Sequence, residues 1–140
     1  NVRWYVIGEG PERSRLEKLI KKKGLENSFI LMGKKNNPYP YVKQADIYVH
    51  ATRYEGKSIA IEEAQILGKA IAASDCTGNS EQIVSCHDGV LFPLTAENIV
   101  NEIEWLIDNP TIRKKYEKNI KEKKLEYPED IEDMLALINT

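Results

Sequence analysis

No apolar run in this chain approaches the roughly 18 residues that a membrane-spanning helix needs, so no stretch reads as a transmembrane segment. Cysteine is scarce. Cys76 and Cys86 form neither a metal-like spacing nor a disulfide framework, so both are expected to be reduced and the compartment cytosolic. Nothing resembling a signal peptide opens the chain, which starts at once on a strand pattern. An excess of basic charge is missing too. Twenty Lys and Arg stand against 22 Asp and Glu, for a formal net charge of −2, which argues against a dedicated nucleic-acid binder. Repeats, low-complexity tracts and internal linkers are absent. Gly8 and Gly10 lack the third glycine that would complete a dinucleotide-binding fingerprint.

What remains is an ordinary soluble balance. The chain has 140 residues, 41% hydrophobic and 30% charged, enough for one domain with a real core. The apolar run from Val2 to Ile7 reads as a strand. Glycines 8 and 10 turn the chain and Pro11 suits a first helical position. Leu16, Leu19 and Ile20 then recur at helical spacing up to a stop at Gly24. Phe29 to Met32 is the next strand, followed by a short helix from about Tyr39 to Ala45 and a strand from Ile47 to His50. Ser58 to Leu67 reads as a helix burying Ala60, Ala64 and Leu67. Ala70 to Ala73 is a short apolar strand, Ser74 to Glu81 a turn and helix start, and Asp88-Gly89 a turn before the strand Val90 to Phe92.

From about residue 95 the pattern is helical. Ile99, Ile103, Leu106 and Ile107 share one face, entered from Thr95. Pro110 opens another helix with Ile112, Tyr116 and Ile120 in line. Seven Lys or Arg against three Glu lie between Pro110 and Glu126. They read first as a solvated face, and in the sharper alternative as a basic surface near an acidic membrane. Pro128 breaks the run, and Ile131, Met134, Leu135 and Ile138 suggest a closing helix. Alternating strands and helices predict an α/β fold: a Rossmann-like parallel sheet with helices on both faces.

The chemistry concentrates at Glu55-Gly56-Lys57-Ser58-Ile59-Ala60-Ile61-Glu62-Glu63. Glu55 sits in the loop after a strand, Gly56 turns the chain, and Glu63 lies inside the helix that follows. Between the two carboxylates lies a helix N-terminus with unpaired N–H groups and partial positive charge. Such an end offers donors to phosphate or hydroxyl oxygens, while the carboxylates accept from hydroxyls. A nucleotide-sugar would use both. His50 ends its strand where ligands sit in open α/β sheets. It can contact such a ligand or orient Glu55. A purely structural histidine is the preferred reading, because no nucleophile or metal-ligand partner is spaced around it.

Glu55 and Glu63, with Ala51 to Tyr54 upstream and Leu67 to Asp75 and Asp88 to Phe92 downstream, resemble the donor-binding, C-terminal half of retaining glycosyltransferases of the GT-B fold, family 4 (the group 1 transferases). The resemblance runs from Val2 to about Asp108. It implies that Glu63 accepts from ribose hydroxyls and that Glu55, the catalytic candidate, holds hydroxyls of the transferred sugar. By the same resemblance, the amides from Lys57 through Ser58 to Ile59, after Gly56, meet the sugar and the diphosphate, and Gly33 and Lys34 lie beside the base. The implied reaction transfers a hexose from a nucleotide-diphosphate sugar to a glycan or lipid-linked acceptor with retention, as in cell-surface polysaccharide synthesis. It implies no cofactor and no metal.

Two departures stand out. Lys57-Ser58 replaces the family's usual aromatic-Gly pair, so the Lys57 ammonium either reaches the ligand or points to solvent. The family's opening strand-helix unit, with its phosphate-binding Arg and Lys, and the acceptor-binding N-terminal domain do not precede Asn1. Residues 1–140 are therefore expected to be a single nucleotide-sugar-binding domain, a fragment with an incomplete sheet and no transfer activity alone. The expected partners are the sugar donor, the N-terminal acceptor domain and, if the basic helix meets lipid, the inner face of the membrane. A nucleotide-sugar epimerase of the same architecture and a non-catalytic nucleotide-sugar-binding module are the alternative readings. A glycosidase acid/base pair fits less well, because helix-end amides suit a phosphate leaving group.

Overall fold

The computed structural model describes residues 2–123 and 131–138. The chain divides into two compact units, Asn1–Pro38 and Tyr39–Thr140. In the first, strand β1 (Trp4–Ile7), helix α1 (Arg13–Lys22) and strand β2 (Phe29–Gly33) form a parallel strand–helix–strand unit. Trp4 pairs with Phe29 in register, and their rings stack with centroids 6.0 Å apart. The register slips between Val6 and Ile7, so Ile7 faces Gly33. Helix α1 starts two residues beyond Pro11, which lies in the preceding turn. It ends as its sequence predicts. Gly24 takes the left-handed conformation (φ +65°), and the Leu25 and Gly24 amides return to the carbonyls of Ile20 and Lys21, a Schellman closure that a side chain at Gly24 would strain.

The second unit carries strands β3 (Tyr48–His50), β4 (Ile71–Ser74) and β5 (Val90–Phe92), paired in parallel in the order β3-β4-β5. Helix α2 (Tyr39–Gln44) precedes β3. Helices α3 (Ile59–Ile66) and α4 (Thr77–Gln82) make the two crossovers, and α5 (Ala96–Asp108), α6 (Pro110–Glu122) and α7 (Ile131–Ile138) follow. Every residue of β4 is buried, as a central parallel strand covered on both faces requires. Ile61, Ala64, Ile71, Ala73, Ile83 and Ile120 form the core cluster, with Tyr48 and Leu91 packed on it. The five described strands make a two-stranded and a three-stranded sheet, parallel and flanked by helices as expected. Among the described residues no helix is long and apolar enough to cross a membrane.

One helix face differs from its expected assignment. Helix α3 buries Ile61, Ala64 and Gln65, whereas Ala60 and Leu67 are only half-buried. The larger Ile61 takes the core position, and Gln65 turns inward because its amide donates to the Gln82 carbonyl at 2.9 Å. Later elements follow the pattern. Thr95 caps α5 by accepting from the Asn98 amide, Pro110 stands in the first turn of α6, and Tyr116 and Ile120 are buried. Arg113 donates to the carbonyls of Leu106 and Ile107, at 2.5 and 2.9 Å, closing the α5 C-terminus. Lys123 reaches buried Asp88 at 2.7 Å. Two cations of the basic run thus serve the fold, while Lys124 to Glu126 and Pro128 lie outside the described residues. In α7 Met134 is buried, whereas Leu135 is exposed.

Candidate functional site

Strand β3 ends at His50, and residues 51–57 lead to the N-terminus of α3. Ser58 stands at the cap with extended backbone (ψ 111°), and its hydroxyl accepts from the Ile61 amide at 3.3 Å. That capping is what a serine supplies at this position. Ile59 and Ala60 open the helix, where amides have no intrahelical acceptor. The loop before it is held from three directions. Ser74 on β4 accepts from the Thr52 amide at 3.0 Å and donates to the Thr52 carbonyl at 2.7 Å. The Gln82 side-chain amide grips Ser58 in the same two-sided way, accepting from its N–H at 2.6 Å and donating to its carbonyl at 3.0 Å. Helix α4 approaches so closely that a Cβ on Gly78 would overlap the Gly56 carbonyl oxygen. Only glycine fits there.

Both glutamates are half-buried, and each carboxylate has an aromatic partner. His50 Nε2 lies 3.0 Å from Glu55 Oε2 and 3.4 Å from the Ser58 hydroxyl oxygen. Tyr39, at the start of α2, donates its hydroxyl to Glu63 Oε1 at 2.8 Å. Tyr48 lies near both. Burial, then the charges of Glu63 and Glu55, push its phenol up to about 12. Its ring stacks with that of His50, centroids 6.4 Å apart. Of the alternatives for His50, the structure supplies the orienting contact to Glu55.

The remaining sequence candidates divide. Lys57 pairs with Glu62 across 3.1 Å and is largely exposed, so its ammonium has an intramolecular partner. The Ser58 amide is engaged by Gln82, which leaves the Ile59 end of the predicted amide row to the helix opening. Gly33 ends β2 in the first unit, buried and left-handed (φ +71°), and Lys34 beyond it is exposed. Glu55, Gly56, Lys57, Ser58, Ile59 and Glu63 all belong to the second unit. Among the described residues no group of three or more His, Cys, Asp or Glu is placed to hold a metal ion. Cys76 and Cys86 are free thiols. Tyr39, Gly78 and Gln82 support the site without being foreseeable in the sequence, because each reaches it from a distant part of the chain or through packing. Tyr48, two residues before His50 on β3, shares its face by strand alternation.

The family described as glycosyl transferases group 1 matches residues 1–123. A Campylobacter jejuni protein, N-acetylgalactosamine-N,N'-diacetylbacillosaminyl-diphospho-undecaprenol 4-alpha-N-acetylgalactosaminyltransferase, is 25% identical over 123 residues, covering 86% of this chain and 34% of its own. The C-terminal domain of a glycosyl transferase group 1 family protein from Francisella tularensis superimposes with a TM-score of 0.76 at 28% identity, over 86% of this chain and 66% of that one. Anabaena HepE in complex with UDP-glucose has a TM-score of 0.79 at 19% identity, over 99% of this chain and 39% of its own, a likeness of fold. The chain spans only about a third or less of the length of the curated relatives it matches, 34% of the Campylobacter protein and 21% of an uncharacterized glycosyltransferase from Methanocaldococcus jannaschii.

Proposed function

The chain belongs to the glycosyl transferases group 1 family, and from that premise we propose that it is the donor-binding half of a sugar transferase. Its substrate is a nucleotide-diphosphate sugar, bound at the α3 N-terminus between Glu55 and Glu63. One observation carries this reading: two half-buried carboxylates, each held by a hydrogen-bonding partner, flank a helix opening. Ionised carboxylates accept from sugar and ribose hydroxyls. The helix end stabilises negative charge growing on the departing diphosphate. In this proposal Glu63 holds the ribose, Glu55 holds the transferred hexose, and transfer proceeds with retention and without a metal. The acceptor is a glycan or lipid-linked sugar bound by a separate domain, so this chain alone does not transfer. The named lipid-linked substrate of the Campylobacter relative supports that acceptor class.

The test is a pair of titrations. Glu63→Ala removes a charged acceptor whose hydrogen bond contributes roughly 1.5–3 kcal/mol, so nucleoside diphosphate affinity falls by about tenfold to a hundredfold. Glu55→Ala leaves that affinity nearly unchanged but reduces transfer by the full-length enzyme. Equal weakening by both variants would overturn the division of roles, and no effect from either would overturn the donor site itself.

A further inference from the structure

Each of the two carboxylates has one oxygen already engaged, by a different partner. Glu63 Oε1 already accepts from the Tyr39 hydroxyl, and Glu55 Oε2 already faces His50 Nε2. An ionised carboxylate is acceptor-only, so the 3.0 Å contact places the His50 proton on Nε2. The Ser58 hydroxyl oxygen, 3.4 Å away, accepts from the Ile61 amide. Its own proton is therefore directed away from that amide. The Tyr48 ring lies nearly parallel to that of His50, 15° apart in plane with centroids at 6.4 Å. We propose that Tyr39 and His50 are positioning residues, one for each glutamate, which fix the carboxylates so that each presents one oxygen to the nucleotide-sugar.

This inference rests on the donor-site reading and adds the residues that preset it. Preorganised acceptors lose less freedom when a ligand arrives. Tyr39 is thereby assigned to the nucleotide side through Glu63, and His50 to the sugar side through Glu55. The assignment separates two ligands that differ only by the sugar. Loss of the Tyr39 hydroxyl weakens UDP and UDP-glucose alike. Loss of the His50 N–H weakens UDP-glucose more than UDP.

The experiment titrates the chain with UDP and with UDP-glucose, in wild type, Tyr39→Phe, His50→Phe, His50→Gln, Glu63→Ala and Glu55→Ala. Tyr39→Phe removes only the hydroxyl, whereas His50→Phe keeps an aromatic ring but is larger and lacks both nitrogens, which is why His50→Gln is read beside it. Tyr39→Phe is expected to lower affinity for both ligands by about threefold to tenfold, the size of one hydrogen bond. His50→Phe is expected to lower the UDP-glucose to UDP affinity ratio by a similar factor. His50→Gln, whose Nε2 reaches to about the same place, restores that ratio. Two double variants separate positioning from general support. Tyr39→Phe has no further effect once Glu63 is Ala, and His50→Phe none once Glu55 is Ala, because each acts through its glutamate. If Glu63→Ala weakens UDP while Tyr39→Phe does not, or if the double variants are additive, the positioning roles are overturned and the donor site stands. If the wild-type chain binds neither these two ligands nor the ADP, GDP and TDP counterparts, the donor-site reading fails and takes this inference with it.

Discussion

The two units contain the same syntax, a strand, a helix and a parallel strand, yet they bury it differently. In the first unit α1 buries none of its residues, and Leu19 on its apolar face is 46% exposed. In the second, β4 is buried along its whole length, and Ile120 of α6 is 1% exposed. The difference lies in neighbours. Strand β4 has β3 on one edge and β5 on the other, whereas β1 and β2 each have one ladder partner among the described residues. A strand becomes a core when both edges and both faces are covered. The candidate carboxylates lie in the unit where that condition is met, on the loop and helix leading from β3 to β4.

Substitutions can break or sharpen that contrast, and Gly78→Ala has the largest expected effect. Its Cβ would enter the space of the Gly56 carbonyl, and backbone cannot rotate away as a side chain does. A loss of about 4 kcal/mol or more is expected, read by denaturant unfolding, together with loss of nucleotide binding as the Glu55 loop moves. Wild-type stability would show that α4 and this loop are not rigidly packed. Next comes Ile120→Ala, which opens a cavity in the closed core and is expected to cost about 3 kcal/mol.

Tyr48 gives a pH-dependent test. Its phenol is pushed from 10.0 up to about 12 by burial and then by Glu63 and Glu55. The unfolded chain therefore loses this proton first as pH rises. The neutral phenol's contribution is complete below pH 10 and disappears as pH climbs to about 12. The loss should be on the order of 2 kcal/mol. Tyr48→Phe should flatten that part of the stability curve, and an unchanged curve would contradict the burial of Tyr48 near the two carboxylates. Tyr116 is also raised, chiefly by burial, so the difference between wild type and variant is the quantity to read. The smallest effect belongs to Leu19→Ala, at about 1 kcal/mol or less, since an exposed side chain leaves little cavity. A cost matching that of Ile120→Ala would erase the contrast between the units.

Most elements are legible in the sequence because their signals are local. Gly24 closes α1 through its own backbone, Ser58 and Thr95 cap helices three residues away, and Pro110 opens α6. The face of α3 is less legible, and Ala60 and Leu67 are where expectation and structure part. Small and apolar residues surround that helix, so periodicity alone does not prefer Ile61 over them, and the inward turn of Gln65 depends on a carbonyl 17 residues away. Glu55 and Glu63 are legible as a pair, because the loop and the helix that carry them are adjacent in the chain.

By itself the sequence determined the strand and helix order, the helix ends and the two carboxylates flanking a helix opening, since these arise from groups within a few residues of one another. Tertiary structure alone decided which partners hold them. Tyr39 meets Glu63, and Gln82 meets Ser58, each across 24 residues, and Gly78 meets Gly56 because α4 packs directly on the loop. Such contacts follow from how a sheet brings distant loops to one edge, and chain spacing carries no record of them.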